Sequence, residues 1–481
     1  MMQTGTAAGR GRPAAAGISP LFTQALAGLR TEYFPGTAPA IGVALSGGLD
    51  SMVLLRVAHS YAREHGLSLS AFHVHHGLSP NADAWREHCA SACAALGIAF
   101  DARAVSVDKG RSGVEAAARK ARYAALGAMC RAHGVDLLLT AHHLDDQAET
   151  VLLQLLRGSG LAGLSGMDAA NRAPTLLGDE RLLMARPLLQ VARADLEALA
   201  HEAGIAWVED ESNSDPRYAR NALRHTVMPA LAAAFPGFQA RVARSSMHAQ
   251  SALRVLLEVA DQDLDCCLDG DAIDLAKLGA LSPDRINNVL RHWFSVRRLA
   301  MPSTAWMDEM IGQLFSARED AQLLVVHPEC HVRRHRERLY LVPKLPDLAG
   351  MRDPDDEGII EKHAQAFRWG GEASLAFPDY GGVLHFDAAE QGFDPDWLRA
   401  QPLAIDFRKG GERLKLAPNR PSRSLKAHFQ ASGIPAWERT RLPIVSSGID
   451  LLYAAGLGMD CHYLQDGAGR IALRWESSST L

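Results

Sequence analysis

Residues 46–51, with the sequence SGGLDS, are the strongest candidate for chemistry in this chain of 481 residues. They follow a short apolar run and precede a broad apolar face at helical spacing, so they join a predicted strand to a predicted helix. Two glycines let the backbone approach a ligand closely, and the start of the following helix attracts anions. Ser46 and Ser51 offer hydroxyl groups, and Asp50 could hold Mg²⁺. A glycine turn alone is common in α/β proteins, but this combination is much more specific for phosphate.

The turn differs from two common nucleotide-binding loops. The chain contains no G-x-x-x-x-G-K-[ST] sequence, so the turn is not a Walker A loop. Residues 158–163 match G-x-G-x-x-G, but they follow a predicted helix rather than a strand. That context argues against a dinucleotide-binding turn and favours the end of a helix followed by a mobile loop.

Residues 140–150 place two histidines and several carboxylates beside a predicted helix start. Asp146 and Glu149 are three residues apart, so their side chains share one face of the first helical turns. They could simply stabilise the positive end of the helix, but they could also bind an ammonium group or Mg²⁺. His142 and His143 precede them, and this concentration of polar groups favours a functional site.

Two pairs of arginines have spacings that let them act together. Arg119 and Arg122 are three residues apart on a predicted helix, and Arg220 and Arg224 are four apart with Asn221 between them. Guanidinium groups suit a phosphate or the negative charge that develops on an adenylate. Each pair could instead belong to a solvated surface, and the spacing alone leaves both interpretations open.

The first half of the chain alternates short apolar runs with longer amphipathic segments. We predict strands over residues 41–45, 69–74, 98–105 and 137–140, and helices over residues 52–63, 82–96, 113–133 and 146–157. Strands separated by helices of this length form parallel βαβ units with helices on both faces of the sheet. Because ligands bind beyond the carboxyl ends of such strands, residues 46–51 and 140–150 are both expected at that edge.

Residues 46–51 resemble the pyrophosphate loop of the N-type ATP pyrophosphatases, which cleave ATP between its α- and β-phosphates. Within that group, most of residues 41–228 resembles the tRNA(Ile)-lysidine synthetase family. The resemblance extends over residues 73–78 (HVHHGL), 115–123, 140–150, 157–167 (RGSGLAGLSGM) and from 186–189 through to 224. Residues 408–413 (RKGGER) and 434–439 (IPAWER) also resemble the C-terminal domain of that family.

The resemblance implies an α/β fold with three domains. A parallel-sheet N-type ATP pyrophosphatase domain would be followed by a helical middle domain and a small α+β C-terminal domain. We expect a flexible N-terminal tail over residues 1–20, the catalytic domain over 21–235, the mostly helical domain over 236–345 and a basic tRNA-binding domain over 346–481.

The resemblance also implies the reaction and its residues. The C2 oxygen of the wobble cytidine in a tRNA(Ile) with a CAU anticodon would attack ATP, and the ε-amine of free L-lysine would then displace AMP to give lysidine. The residues assigned to ATP are Ser46, Gly47, Gly48, Leu49, Asp50 and Ser51, with Asp50 also assigned to Mg²⁺. The residues assigned to catalysis are Asp50, Arg122, Asp146, Glu149 and Arg220. The residues assigned to substrate binding are His142, His143, Asp146, Glu149, Arg119, Asn221 and Arg224.

Charge is distributed unevenly along the chain. The whole chain carries a formal net charge of −5, but residues 403–443 contain nine basic and three acidic residues. This local balance of +6 is the footprint expected of a domain that binds an RNA backbone. A basic surface without a partner is the alternative. Trp437 in this region could either stack on a base or belong to the core.

Other functions are open at this point. A tRNA thiolase could use the same loop, but the chain has seven cysteines and no C-x-x-C pair, which such enzymes commonly need. An amidating synthetase for a small molecule would usually carry a glutaminase domain and would leave the basic region unexplained. A non-catalytic RNA-binding protein would not need the complete loop. No run of about 18 apolar residues is present, so we expect a cytoplasmic protein with no membrane partner, and a homodimer is left open.

Overall fold

The computed structural model describes residues 15–75, 81–105, 114–209, 219–316, 323–344 and 364–477. The chain divides into two units, residues 1–256 and residues 257–481. Within the described ranges, no helix combines the length and the apolar character needed to cross a lipid bilayer.

Strands and helices alternate through the first unit. The strands are β1 (Ile41–Ala44), β2 (Leu69–His75), β3 (Ala99–Ala104), β4 (Leu137–Leu139), β5 (Ala170–Arg172) and β6 (Leu183–Ala185). The helices are α1 (Ala15–Tyr33), α2 (Leu49–His65), α3 (Ala82–Leu96), α4 (Val114–Ala132), α5 (Leu144–Leu156), α6 (Leu161–Leu164), α7 (Pro174–Leu177), α8 (Arg193–Glu202), α9 (Ala219–Ala222), α10 (Met228–Ala234) and α11 (Phe238–Cys267), which continues past the end of the first unit at residue 256. A π-helical turn over Leu223–Val227 lies between α9 and α10.

These strands form one sheet in the order β3-β2-β1-β4-β6-β5, in which β5 alone runs antiparallel to its neighbour. Val43, Leu137 and Leu139 on the central strands are fully buried. Strands covered on both faces read as continuous apolar runs, which is why the sequence pattern revealed them. Every predicted bound in this region lies within three residues of the observed one, and the predicted α/β fold class is confirmed.

Strand β1 pairs in parallel with β2 on one side and with β4 on the other. The strand order therefore reverses between β1 and β4, because the strands that follow each of them in the chain lie on opposite sides of this pair. Such a reversal creates a crevice at the carboxyl edge of a parallel sheet. The two segments singled out above, residues 46–51 and 140–150, follow these two strands.

The N-terminal segment differs from the expectation of a flexible tail up to residue 20. Helix α1 begins at Ala15, inside that segment. Ile18, Phe22 and Leu26 repeat every four residues, and all three are buried against the first unit's core. This apolar stripe holds residues 15–20 in the helix, because burial on one helical face supplies most of a helix's stability in a protein. Residues 1–14 lie outside the described ranges.

The second unit contains short helices and antiparallel sheets. Its strands are β7 (Leu268–Asp269), β8 (Ala272–Asp274), β9 (Leu324–Val326), β10 (Cys330–His335), β11 (Arg338–Pro343), β12 (Gln365–Phe367), β13 (Ser374–Phe377), β14 (Gly382–Gly392), β15 (Leu403–Phe407), β16 (Arg413–Leu414), β17 (Arg423–Ser424), β18 (Pro443–Ser447), β19 (Asp450–Ala454), β20 (Gly458–Met459) and β21 (Gln465–Ser477). Its helices are α12 (Leu275–Gly279), α13 (Pro283–Val296), α14 (Thr304–Ser316), α15 (Pro395–Ala400), α16 (Leu425–Ala431) and α17 (Ala436–Arg439).

The predicted middle domain contains more strand than its helical pattern indicated. Helices α12 to α14 accompany a sheet in the order β7-β8-β11-β10-β9. Strands of two or three residues, such as β7 and β8, are too short to show an alternating pattern in the sequence. Further along, the sheets β12-β15-β18-β19-β20 and β13-β14-β21 form the C-terminal part with α15 to α17.

Trp437 packs against other side chains of the second unit. Its ring makes edge contacts with Tyr340 at 5.6 Å and His335 at 6.0 Å between ring centroids. The guanidinium carbon of Arg333 lies 5.2 Å from the same ring. These contacts account for the tryptophan as a packing residue, which was the second of the two interpretations of its sequence position.

We predict that Gly127→Ala destabilises the first unit. Gly127 lies on α4, and a Cβ atom there would come within 1.9 Å of the Leu177 carbonyl oxygen, which is far inside contact distance. The clash would force α4 and α7 apart. This should lower the free energy of unfolding by about 1–3 kcal/mol, measured by urea denaturation. Gly28→Ala on α1 is the matched control, since open space surrounds that position. Equal effects of the two substitutions would contradict this explanation.

Candidate active site

The turn between β1 and α2 is held from inside by one hydroxyl group. The Oγ atom of Ser51 accepts hydrogen bonds from the backbone N–H groups of Ser46 at 3.2 Å and Gly47 at 3.1 Å. The same hydroxyl donates to the Gly48 carbonyl at 2.9 Å. Gly48 is the N-cap of α2 and supplies no side-chain cap. Gly48 therefore leaves the N–H groups of the first turn of α2 uncapped, and such groups are suited to an anion.

Gly47 adopts a backbone conformation that suits glycine. Its φ angle is +90°, and a Cβ atom would lie 3.1 Å from both Cys89 Sγ and Val208 Cγ2. Its carbonyl oxygen also accepts a hydrogen bond of 3.0 Å from the Val208 N–H. The predicted glycine turn is thus present, with Leu49 buried as the first residue of α2.

His143 joins this turn to the start of α5. It is the N-cap of α5: its Nδ1 accepts from the Asp146 N–H at 3.4 Å, and Asp146 Oδ2 accepts from the His143 N–H at 3.2 Å. This reciprocal pair is a capping box. The side chain of His143 is 1% exposed, and its Nε2 lies 3.6 Å from Asp50 Oδ2 and 3.4 Å from Asp146 Oδ2. Burial alone would lower the pKa of His143, but the hydrogen bond to Asp50 and the surrounding carboxylates raise it.

Two carboxylates on α5 are held by two arginines from the segment that begins at Ala219. Glu149 is 1% exposed, and it accepts hydrogen bonds from Arg220 Nε at 3.0 Å and from Arg224 Nε at 2.5 Å. Asp146 Oδ1 accepts from Nη2 of Arg220 at 3.3 Å and from Nη2 of Arg224 at 3.0 Å. We call these four residues the carboxylate–arginine cluster. The sequence predicted both pairs separately, and the structure brings them together.

The electrostatics of this cluster are mutually supporting. Burial alone would raise the pKa of Asp146, but the positive charges of His143 and Arg220 outweigh it and lower the pKa. Burial likewise opposes the charge on Arg224, yet its hydrogen bond to Glu149 and the nearby carboxylate charges raise the pKa of the guanidinium. All of these shifts favour the charged forms, so the cluster consists of paired ions.

The local geometry of the arginine segment explains how both arginines reach the same target. Arg220 lies on α9 and Arg224 on the π-helical turn that follows. Between them, Leu223 is buried in a small apolar cluster with Ala148 of α5 and with Phe238. Apolar packing at Leu223 and ion pairs at Arg220 and Arg224 therefore both hold this segment against α5. Single π-helical turns are frequent at functional sites.

Asp50 has an oxygen that no hydrogen bond satisfies among the described residues. Its Oδ1 atom is buried without a hydrogen-bond partner there. The Nε of Arg193 lies 3.9 Å from this oxygen, which exceeds hydrogen-bond distance. Arg193 begins α8, and its N–H donates to Asp145 Oδ2 at 2.9 Å. The sequence analysis did not assign Arg193, whose position close to the loop depends on folding.

The remaining predicted site residues are His142, Arg119, Arg122 and Asn221. His142 Nδ1 is 2.9 Å from the Thr140 hydroxyl, and burial lowers the pKa of His142, with the charge of Arg119 adding to the effect. The guanidinium carbons of Arg119 and Arg122 lie 4.9 and 5.3 Å from the Tyr123 ring. Among the described residues, no hydrogen bond or ion pair joins Arg122 to the cluster. Asn221 lies between the two arginines of the cluster in the chain.

Gln147 is a buried residue of α5 that the sequence analysis missed. Its side chain donates to the Met167 carbonyl at 3.0 Å and to Ser246 Oγ at 3.0 Å, and it accepts from the Met167 N–H at 2.8 Å. Ser246 Oγ in turn donates to the Ser165 carbonyl at 2.6 Å. This satisfied polar network fixes α5 between its two site carboxylates. Its partners lie 20 and 99 residues away, so only the fold reveals them.

Comparison with known families gives three matches along the chain. A PP-loop domain model matches residues 22–231. Models described as the TilS substrate binding domain and the TilS substrate C-terminal domain match residues 273–340 and 403–475. The first match contains the turn after β1, α5 and the carboxylate–arginine cluster.

Relatives of known name cover most of the chain. A tRNA(Ile)-lysidine synthase from Ralstonia nicotianae is 44% identical over 442 residues, which is 90% of this chain and 92% of the relative. Relatives with the same name from Alkalilimnicola ehrlichii and Burkholderia pseudomallei are each 41% identical. They cover 88% and 92% of this chain, and 91% and 93% of their own lengths.

We predict that Gly47→Ala weakens nucleotide binding. The substitution places a Cβ atom at a positive φ angle and against Cys89 and Val208, so the turn must change shape. A strain of 1–2 kcal/mol would raise the Kd for ATP by roughly tenfold, measured by calorimetric titration. Gly66→Ala is the matched control, because Gly66 has a φ angle of +63° at the other end of α2 with nothing nearby. If both variants bind ATP like the wild type, the turn is not the nucleotide site.

Proposed function

The chain belongs to the tRNA(Ile)-lysidine synthase family, and we propose that it joins lysine to the wobble cytidine of a tRNA(Ile) with a CAU anticodon. Membership makes the chain an ATP-dependent tRNA-modifying enzyme and a ligase that forms a C–N bond. The observation that best supports the finer proposal is the convergence of an anion-binding turn and the carboxylate–arginine cluster on one side chain, His143.

ATP is proposed to bind with its phosphates against the turn after β1. The residues we assign to it are Ser46, Gly47, Gly48, Leu49, Asp50 and Ser51. The uncapped start of α2 provides N–H donors and the positive end of the helix dipole. The absence of a P-loop lysine from the sequence agrees with chemistry at the α- rather than the γ-phosphate.

Asp50 is the proposed ligand of Mg²⁺. Its Oδ1 is buried and has no hydrogen-bond partner in the part of the chain that the structure describes, which fits a hard cation. Mg²⁺ is usually held by one or two carboxylates together with substrate phosphates. When bound, the ion would neutralise negative charge on the phosphate oxygens. Asp50 is itself oriented by His143, which lies 3.6 Å from its other oxygen.

Asp146 and Glu149 are proposed to bind the ammonium groups of lysine. Both carboxylates already have guanidinium partners, so a lysine ammonium would share or replace those partners. An arginine displaced from a carboxylate becomes available to a developing negative charge nearby. We therefore assign Arg220 and Arg224 two successive partners, the α5 carboxylates before lysine binds and the adenylate phosphate afterwards. Arg119 and Arg122 are assigned to the same phosphate from α4.

The proposed reaction has two steps. The C2 oxygen of the cytidine attacks the α-phosphorus of ATP, the bond to the β-phosphate oxygen breaks, and pyrophosphate leaves. The ε-ammonium of lysine then gives a proton to a carboxylate such as Glu149, and its nitrogen attacks C2 as AMP leaves. His142 is assigned to the tRNA side of the site, and the buried His143 to holding Asp50 and the start of α5 in place. Burial keeps His142 neutral, which suits contact with an uncharged base.

The tRNA thiolase alternative is not favoured. Cys89, Cys93 and Cys130 are buried, and burial raises the pKa of Cys89 and Cys130 to about 12. Thiols with such pKa values are not nucleophiles at neutral pH.

Residues 403–443 are proposed to contact the tRNA backbone, with exposed cations at Lys409, Arg413, Arg420, Arg423 and Lys426. A cytoplasmic location, a homodimer and domain boundaries at residues 235 and 345 are further proposals.

We predict lysine incorporation that depends on the wobble base. The protein is incubated with Mg-ATP, labelled lysine and a CAU-anticodon tRNA(Ile) transcript, and label is counted in precipitated RNA. Label and AMP should appear with this transcript, and neither with a transcript that carries uridine at the wobble position. AMP without label would exclude lysine as the nucleophile. The absence of both, from folded protein that still binds the tRNA, would exclude catalysis.

We predict that Glu149→Gln raises the KM for lysine more than it raises the KM for ATP. The amide keeps the size of the side chain but removes the charge that attracts an ammonium group, and charged hydrogen bonds contribute about 1.5–3 kcal/mol. The expected rise in the KM for lysine is about tenfold or more. Glu197→Gln is the control, since Glu197 is exposed on α8. An unchanged KM for lysine would remove Glu149 from the proposed lysine site.

A further inference from the structure

A polar groove lies on the surface of the first unit between α2 and α3. It has a volume of about 490 Å³ and is lined by Arg56, His59, Ser60, Arg63, Ala95 and Leu96. The first four of these residues have the spacing i, i+3, i+4 and i+7, so they form one stripe along α2. The intervening residues of α2, such as Val57, Ala58 and Tyr61, are buried in the core. The groove is thus built on a rigid, well-packed helix.

The ionisable side chains that line this groove are all basic. Two arginines and a histidine line it, and none of its lining residues is acidic. Arg56 and Arg63 are exposed, and neither has an ion pair among the described residues. Other exposed arginines, such as Arg399 and Arg474, do pair with carboxylates. Burial together with the charges of Arg63 and Arg56 lowers the pKa of His59, as expected where cations lack a compensating acid.

We propose that this groove binds phosphate groups of the tRNA backbone, which makes α2 a second RNA-binding element outside the C-terminal region. The proposal rests on the proposed function for the identity of the RNA. Guanidinium groups and a hydroxyl are suitable donors for phosphodiester oxygens, and such contacts position a nucleic acid without reading its sequence. The lining holds no phenylalanine, tyrosine or tryptophan ring, and its two guanidinium groups suit the phosphate backbone.

The position of the groove connects RNA binding to the catalytic turn. Helix α2 begins at Leu49, directly after the turn assigned to ATP, and continues to His65. At 1.5 Å per residue, Arg56 and Arg63 lie about 10 and 20 Å along the helix axis from its start. An RNA backbone bound there would be held at a defined distance from the ATP phosphates, because one helix carries both sites.

The test compares tRNA binding by the full-length wild type and by the double variant Arg56→Ala, Arg63→Ala. Dissociation constants for the tRNA(Ile) transcript and for an unrelated tRNA are measured from 50 to 200 mM salt. Losing two phosphate contacts should weaken binding of both RNAs by roughly tenfold and reduce the slope of log K against log salt by about 2. The KM for tRNA should rise while kcat stays unchanged. The variant Arg56→Lys, Arg63→Lys keeps the charge and should retain most of the affinity.

Two further measurements, together with the lysine incorporation assay above, distinguish the possible outcomes. Arg181→Ala removes an exposed arginine elsewhere in the first unit and should leave the salt slope unchanged. Calorimetric titration with inorganic phosphate tests a free anion as ligand. Binding of phosphate that depends on the groove, with unchanged tRNA affinity, would overturn the proposal, as would an unchanged salt slope. If the wild type fails to incorporate lysine but the double variant still loses tRNA affinity, the proposed reaction is wrong and the groove assignment stands.

Discussion

The ion pairs between α5 and the segment carrying Arg220 and Arg224 are the interaction on which the site depends. Glu149 is almost completely buried, and an ionised carboxylate in that position is strongly unfavourable unless it is paired and hydrogen-bonded. Helix α9 has four residues and cannot be stable by itself. The pairing therefore satisfies the buried charge and holds the arginine segment at the same time. A site with two carboxylates and two guanidinium groups can bind both an ammonium group and a phosphate group.

The sheet explains why this cluster lies beside the phosphate-binding turn. Strands β1 and β4 are neighbours, so the turn after β1 and the start of α5 after β4 meet at one edge. His143 completes the connection, because it caps α5 and also faces Asp50. Gln147 fixes the same helix from its buried side through Met167 and Ser246. The proposed ATP and lysine sites are thus parts of one rigid arrangement.

The sequence predicted the parallel sheet of the first unit because its central strands β1 and β4 are buried and its helices are long. It also identified the individual members of the site, since SGGLDS and the Asp146–Glu149 spacing are local patterns. It could not predict that Arg220 and Arg224 pair with Glu149, because 71 and 75 residues separate them in the chain. Arg193 and Gln147 were missed for the same reason. The short strands β7 and β8 were missed because their two or three residues carry no period. Residues 15–20 were assigned to a flexible tail because their composition masked the apolar stripe that begins at Ile18.

The most direct test of this account is a double-mutant cycle between Glu149→Gln and Arg224→Gln, measured as the free energy of unfolding in urea. If the buried ion pairs fasten the arginine segment to α5, the two substitutions should be coupled by at least about 1 kcal/mol, so that the double variant is more stable than the sum of the single effects predicts. Additive effects within about 0.5 kcal/mol would contradict the account. In that case the ion pairs would not be the interaction that holds the arginine segment against α5.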